Sequence, residues 1–218
     1  FTIVEGARAE ATGYSFPSGH TQNAVGTFGG IARATKRHCL RWVCVVIFVL
    51  VSFSRMYLGV HTPLDVGVSF VIAAVLVFAI YPLMRRADRY PRLMAGLLAS
   101  MVLLSAAYLT FTLVYPFPPD IDSANLASGV ENGWKLLGAT LGIALAWWLD
   151  RQYVRFETKA VWWVQAIKFI VGLALVVALK AGLKAPLIAL FGGSAGPAGA
   201  ARYFLVVLAA GVLGPVVF

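Results

Sequence analysis

Charge is what this sequence has least of. Asp, Glu, Lys and Arg make up 12% of its 218 residues, about half of the roughly 25% typical of a soluble domain. A soluble globular fold is thereby excluded. Acidic side chains are the scarcer kind, 9 against 18 Lys and Arg, and no carboxylate cluster of the sort that holds magnesium can be picked out. Cysteine is almost missing as well. Cys39 and Cys44 make neither a CxxC pair nor a disulfide framework, so both read as packing residues. The chain opens on Phe1, with no Met and no basic-then-apolar leader. The expectation is that Phe1 is an internal position of a longer chain.

What fills the sequence instead is apolar. Hydrophobic residues make up 60% of it, and they fall in long runs at 41–53, 65–84, 93–115, 133–149, 160–179 and 201–218. A helix needs about 20 mainly apolar residues to cross the hydrocarbon core. The stretch 21–36 has a helical pattern but is less apolar, as a helix packed among others would be. The fold class expected is all-α: a polytopic helical transmembrane protein of about seven spans.

The basic residues orient these spans. Arg33, Lys36, Arg37 and Arg41 cluster in one connection, Arg85, Arg86, Arg89 and Arg92 in another, and Arg151, Arg155 and Lys159 in a third. They alternate with connections poor in Lys and Arg, such as 115–132. The positive-inside rule puts the basic connections in the cytoplasm, so 1–20, 55–64 and 116–132 are expected outside. The formal charge of +9 then reflects topology and anionic lipid headgroups. No nucleic-acid partner is implied.

Two polar segments now meet at one membrane face: SFPSGHTQNA (15–24) and SFSRMYLGVHTPLDV (52–66). Each has a plain reading and a chemical one. Ser18 suits an N-cap, with Pro17 stiffening the entry and Gly19 easing the first turn. The same helix start, with no side chain at Gly19, also suits an anionic oxygen. In HTPLD, Thr62 suits an N-cap, Pro63 the first helical position and Asp65 a capping box. Capping leaves Arg55 and two histidines unexplained. Arg55 ends an apolar span, where an ionisable residue needs a partner or an anion, and a guanidinium matches phosphate oxygens bidentately. His61 and Asp65, four residues apart, share a helix face. A carboxylate on one imidazole nitrogen sets the tautomer and makes the other nitrogen a better nucleophile. His20 could protonate a leaving oxygen. Phosphoryl transfer uses these parts.

PSGH at 17–20, then Ser54-Arg55, His61 and Asp65 in order, resembles the second and third signature motifs of the type 2 phosphatidic acid phosphatase and haloperoxidase superfamily. The resemblance covers roughly residues 14–65. It implies that Ser18, Gly19 and Arg55 bind the phosphate of a substrate. It implies His20 as general acid, His61 as nucleophile forming a phosphohistidine, and Asp65 as its orienting partner. It further implies chemistry without metal or other cofactor. The substrate would be a lipid phosphate: phosphatidic acid, phosphatidylglycerol phosphate or a polyprenyl pyrophosphate. The protein would be multi-pass in a bacterial plasma membrane, with its site on the extracytoplasmic side. The soluble haloperoxidase branch does not fit so apolar a chain. The family's first motif, a lysine followed seven residues later by Arg-Pro, is not found in 1–16, where Arg8 precedes Ala9. That motif and the N-terminal helices of the catalytic core are expected upstream of Phe1.

On this reading, 1–90 form the C-terminal part of a catalytic core and 91–218 an additional transmembrane region. The latter is compatible with shaping a lipid entrance, with a homodimer or with a transport role. Lys168, Lys180 and Lys184 read either as snorkelling to headgroups or as contacts to a lipid phosphate. Asp120 and Asp122 read as solvating a Pro-rich loop. The alternative from another class is a lipid-binding or transport protein that keeps a non-catalytic phosphate site for headgroups.

Overall fold

The computed structural model describes residues 16–87, 89–154 and 161–213. The segment 1–15 with Arg8, and the basic positions Arg155 and Lys159, lie outside them. Among the described residues every regular element is helical. That is the all-α membrane architecture expected, since a chain in lipid must satisfy its backbone groups within itself. Two compact units divide at Met94 and Ala95.

The first unit is built on three helices. The first, α1, runs as an α-helix over Gly19–Ala24, widens into a π-helical turn at Val25–Gly29 and resumes over Gly30–Ala34. It stops where Thr35 turns extended, at φ −80 and ψ 142. Arg41 folds back over that end, its Nε donating to the Ala32 carbonyl at 3.2 Å and its Nη2 to the Thr35 carbonyl at 3.0 Å. A cation on orphan carbonyls is the favourable polarity at a helix C-terminus. Helix α2 (His38–Tyr57) and helix α3 (Pro63–Ala87) follow, and α1 packs against both. It buries Thr21, Ala24, Val25 and Ala32 there. Trp42, Leu50 and Phe53 of α2, with Val71 and Val75 of α3, are exposed, as a lipid-facing surface requires. Cys44 is buried in α2, as its packing reading expects, whereas Cys39 is exposed.

Gly59 decides how α2 gives way to α3. The Leu58 N–H donates to the Ser54 carbonyl and the Gly59 N–H to the Met56 carbonyl, each at 3.0 Å. Gly59 itself sits at φ 70, a left-handed conformation that glycine adopts without penalty. The chain thus reverses within a few residues of Arg55 and delivers His61.

The second unit continues through α4 (Pro91–Val114), α5 (Ser123–Leu149), α6 (Trp162–Gly182), α7 (Lys184–Leu190) and α8 (Ala195–Leu208). The closest approach is α5 on α8. A Cβ added at Gly138 would collide with the Ala200 carbonyl, and one at Gly142 would stand 2.9 Å from the Phe204 carbonyl. Small residues let two membrane helices approach to backbone contact. Between α4 and α5 the hydroxyls of Ser105 and Thr140 lie 2.9 Å apart. Asp122, expected merely to solvate its loop, is the N-cap of α5 and accepts from the N–H groups of Ala124 and Asn125.

Five of the described helical segments are long and apolar enough to cross a membrane: His38–Tyr57, Pro63–Ala87, Pro91–Val114, Trp163–Leu190 and Ala195–Val212. The count of seven included two more, and both exist as helices. α1, over residues 19–34, is too short to be counted as a span and carries Gln22, Asn23 and Arg33 besides. α5 falls short because its first half holds Glu131 and Lys135, paired at 2.8 Å. The last span begins at Ala195 rather than 201, since AGPAGAA is recruited by packing: Ala198 and Gly199 are buried. Such small residues carry little apolar signal of their own.

Candidate active site

Ser18 takes extended backbone angles, φ −70 and ψ 103, at the N-cap of α1. Its side chain makes no capping hydrogen bond. Instead the Thr21 hydroxyl donates to the Ser18 hydroxyl at 3.1 Å, and both residues are 0% exposed. The plain capping reading of that hydroxyl therefore does not hold. The N–H groups of the first turn have no intrahelical acceptors and sit at the positive end of the helix dipole. A Cβ at Gly19 would meet nothing within 4 Å. Packing does not demand glycine here, and open space lies over the helix start.

Arg55 stands in the last turn of α2. Its Nε is buried and has no hydrogen-bond partner among the described residues. His61 follows the Gly59 turn, and its Nδ1 is likewise buried without a hydrogen bond among the described residues. That nitrogen lies 3.9 Å from Asp65 Oδ2, beyond hydrogen-bond reach. The pair is ionic only when His61 is protonated. Asp65 is buried and occupied locally: Oδ2 accepts from the Thr62 N–H at 2.8 Å, while the Asp65 N–H donates to Thr62 Oγ1 at 3.2 Å. This is a reciprocal capping box, with Pro63 the first residue of α3.

His20 is the exposed member of the group. Its pKa is lowered from the ordinary 6.5, first by partial burial and then by the positive charges of Arg55 and of protonated His61. That electrostatic coupling ties the two motifs together. The structure thus brings His20, Arg55 and His61 within range of one another, and sets His61 beside Asp65. Ser18 and Gly19 are carried by the start of the helix that bears His20.

Two polar groups were passed over in the motif reading. Thr21 holds the Ser18 hydroxyl, and its signal was a hydroxyl three residues on, at helical spacing. Ser69, one turn beyond Asp65, is 0% exposed, and its Oγ is buried with no hydrogen-bond partner among the described residues. A serine inside an apolar helix was the only hint of it. Among the described residues no three His, Cys, Asp or Glu side chains stand together as metal ligands would. A groove of about 470 Å³ begins two residues past His20, with Gln22, Asn23 and Gly26 on α1 facing Leu76, Ile80 and Met84 on α3. Its wall is mostly apolar, with Gln22 and Asn23 on α1 and Tyr81 on α3 as its polar members.

Comparison with known proteins bears on the same segments. Residues 2–89 match the model of the PAP2 superfamily. Residues 134–218 match that of the PAP2 superfamily phosphatase, transmembrane extension. Undecaprenyl-diphosphatase BcrC of Bacillus subtilis (strain 168) is 36% identical over 67 residues, 31% of this chain and 34% of that protein. The chain therefore matches about a third of the length of this curated relative. No solved structure matches the chain.

Proposed function

Because this chain belongs to the PAP2 superfamily and carries the transmembrane extension of its phosphatases, we propose that it is an integral-membrane lipid phosphate phosphatase. Its substrate is a lipid phosphate mono- or diphosphate ester, a polyprenyl diphosphate first among them. One observation carries the reading: two buried nitrogens without partners among the described residues, Arg55 Nε and His61 Nδ1, share an electrostatic neighbourhood with His20. Buried polar groups without partners are uncommon and call for a reason. A phosphate supplies one for Arg55.

In the proposed reaction, Arg55, the Ser18 hydroxyl and the first-turn N–H groups at Gly19 hold the phosphoryl oxygens. The free imidazole nitrogen of His61 attacks phosphorus while the bond to the leaving oxygen breaks. His20 gives its proton to that oxygen. Water then attacks the phosphohistidine, with His20 taking the water's proton, and inorganic phosphate leaves. Asp65 favours the His61 tautomer that keeps the attacking nitrogen unprotonated. No metal enters the scheme. The hydrocarbon lies in the apolar groove between α1 and α3, which starts beside His20. Residues 1–90 form the C-terminal part of the catalytic core and 91–218 an accessory membrane region. The similarity to an undecaprenyl-diphosphatase of Bacillus subtilis favours the polyprenyl substrate, and the basic connections favour a bacterial plasma membrane with the site on the extracytoplasmic face.

The second reading, a headgroup-binding or transport protein, is favoured by one feature. Asp65 is committed to its capping box and stands 3.9 Å from His61. The two readings separate in one assay. Phosphate release from polyprenyl diphosphate, phosphatidic acid and phosphatidylglycerol phosphate is followed in detergent with EDTA. The chain is compared with its His61→Asn variant. Release by the parent and none by the variant is expected. A folded parent that binds these lipids and releases no phosphate would establish the binding protein instead.

A further inference from the structure

The end of the first unit remote from His20 holds a second groove, of about 480 Å³, among α1, α2 and α3. Gly19 to Arg33 is about 21 Å of helix at 1.5 Å per residue, so Arg33 and Arg41 lie at the other end of α1 from His20, and the groove reaches from them as far as Val25 and Phe70. Its wall is apolar, with Val25, Val45, Phe48 and Phe70 among the lining, and Arg33 and Arg41 stand in it as well. The wall spans about 10 to 12 Å along α2 and α3, from Arg41 to Phe48 and from Phe78 to Phe70. That is under half of a hydrocarbon core about 30 Å thick.

Arg33 is held in an unusual way. Its guanidinium carbon lies 4.5 Å from the Phe78 ring centroid and 5.1 Å from that of Tyr81. Rings that hold the face of a guanidinium leave its edge donors to other partners. One of those donors, Nε, is buried with no hydrogen-bond partner among the described residues. Arg41 spends Nε and one amino group on the carbonyls at the end of α1, and its Nη1 takes part in neither bond. Lys36 and Arg37 lie exposed in the connection between them. A cationic donor above an apolar slot fits a ligand that is anionic at one end and hydrocarbon along its length. A free anion would leave the slot unfilled, and a neutral lipid would leave Arg33 Nε unpaired.

We propose that this groove is a binding site for an anionic glycerophospholipid. The phosphodiester pairs with Arg33 and the Nη1 of Arg41, and the upper part of one acyl chain lies against Phe48 and Phe70. With the basic connections in the cytoplasm, the lipid comes from the inner leaflet. The site is separate from the phosphatase centre and does not depend on that reading.

The test counts lipid retained by the full chain, after reconstitution in phosphatidylcholine nanodiscs doped with phosphatidylglycerol, by native mass spectrometry. Gly29 has room for a side chain, with Val25 and Val77 3.9 Å from an added Cβ, so Gly29→Leu fills the slot without altering charge. Arg33→Gln removes the donor. Each is expected to lower phosphatidylglycerol retention about tenfold, the equivalent of one charged hydrogen bond or a lost apolar contact. A Lys36→Gln, Arg37→Gln double variant and His61→Asn should retain it as the parent does. The proposal fails if Arg33→Gln and Gly29→Leu both keep the lipid. It also fails if the Lys36, Arg37 variant loses it equally, which would mean diffuse surface charge. Displacement by inorganic phosphate alone would overturn it in favour of a free-anion site.

Discussion

His20 and His61 carry the same ring and meet different surroundings. His20 is pushed toward its neutral form by partial burial and by the charges of Arg55 and His61. If it serves as the acid, its protonated fraction in the free protein is lost as pH rises through a value below 6.5. The alkaline limb of kcat/KM, which reports the free protein, is therefore expected below that value. The limb of kcat should lie at higher pH, because bound phosphate offsets the two positive neighbours. A His20→Ala variant should lose the alkaline limb along with most of its rate. Asp65 offers a sharper separation. Asp65→Ala removes the acceptor for the Thr62 N–H and should cost about 1 kcal/mol in thermal unfolding. Asp65→Asn keeps an oxygen for that bond and should unfold nearly as the parent does. Its kcat should still fall about a hundredfold if His61 then sits misoriented. Full activity in Asp65→Asn would leave Asp65 as a cap and nothing more.

At the scale of elements, the two halves of the site are joined by a turn as much as by packing. α2 ends with Gly59 at φ 70, and α3 begins four residues later with its capping box. A side chain at Gly59 would pay the left-handed penalty of about 1–2 kcal/mol. Gly59→Ala is thus expected to lower the unfolding midpoint and to impair turnover, since the strain falls between Arg55 and His61. Comparable loss of stability with unchanged kcat would mean that the turn relaxes without moving either residue. α1 makes a different contribution. Its π-helical turn, Val25–Gly29, lies midway between the end that bears His20 and the end that bears Arg33. Such turns shift the faces of the two flanking helical segments relative to one another.

For the whole molecule, the direction in which it faces can be read by labelling. Cys39 is exposed and Cys44 buried, so Cys39 serves as a reporter beside the basic residues Lys36, Arg37 and Arg41. A membrane-impermeant maleimide should leave Cys39 unmodified in intact cells and label it in inverted vesicles. In a Cys39→Ser background, Asp120→Cys should show the reverse. Labelling of Cys39 in intact cells would turn the proposed phosphate site to the cytoplasm.

The sequence by itself determined the membrane-helical class, because apolar runs of span length admit few other folds in lipid. It also determined the order in which PSGH, Arg55, His61 and Asp65 arrive, and the capping box of α3, whose partners are three residues apart and need only local geometry. Long-range proximity decided the rest. That Ser18 leaves its cap to hold hands with Thr21 follows from burying both hydroxyls against neighbouring helices, which gives each a partner in a dry place. The weakly apolar α5 and the start of α8 are stabilised by contacts at Gly138 and Gly142, where the absence of side chains matters more than hydropathy. The electrostatic coupling of His20 to Arg55 and His61, and the rings beneath Arg33, exist only because helices distant in sequence pack side by side.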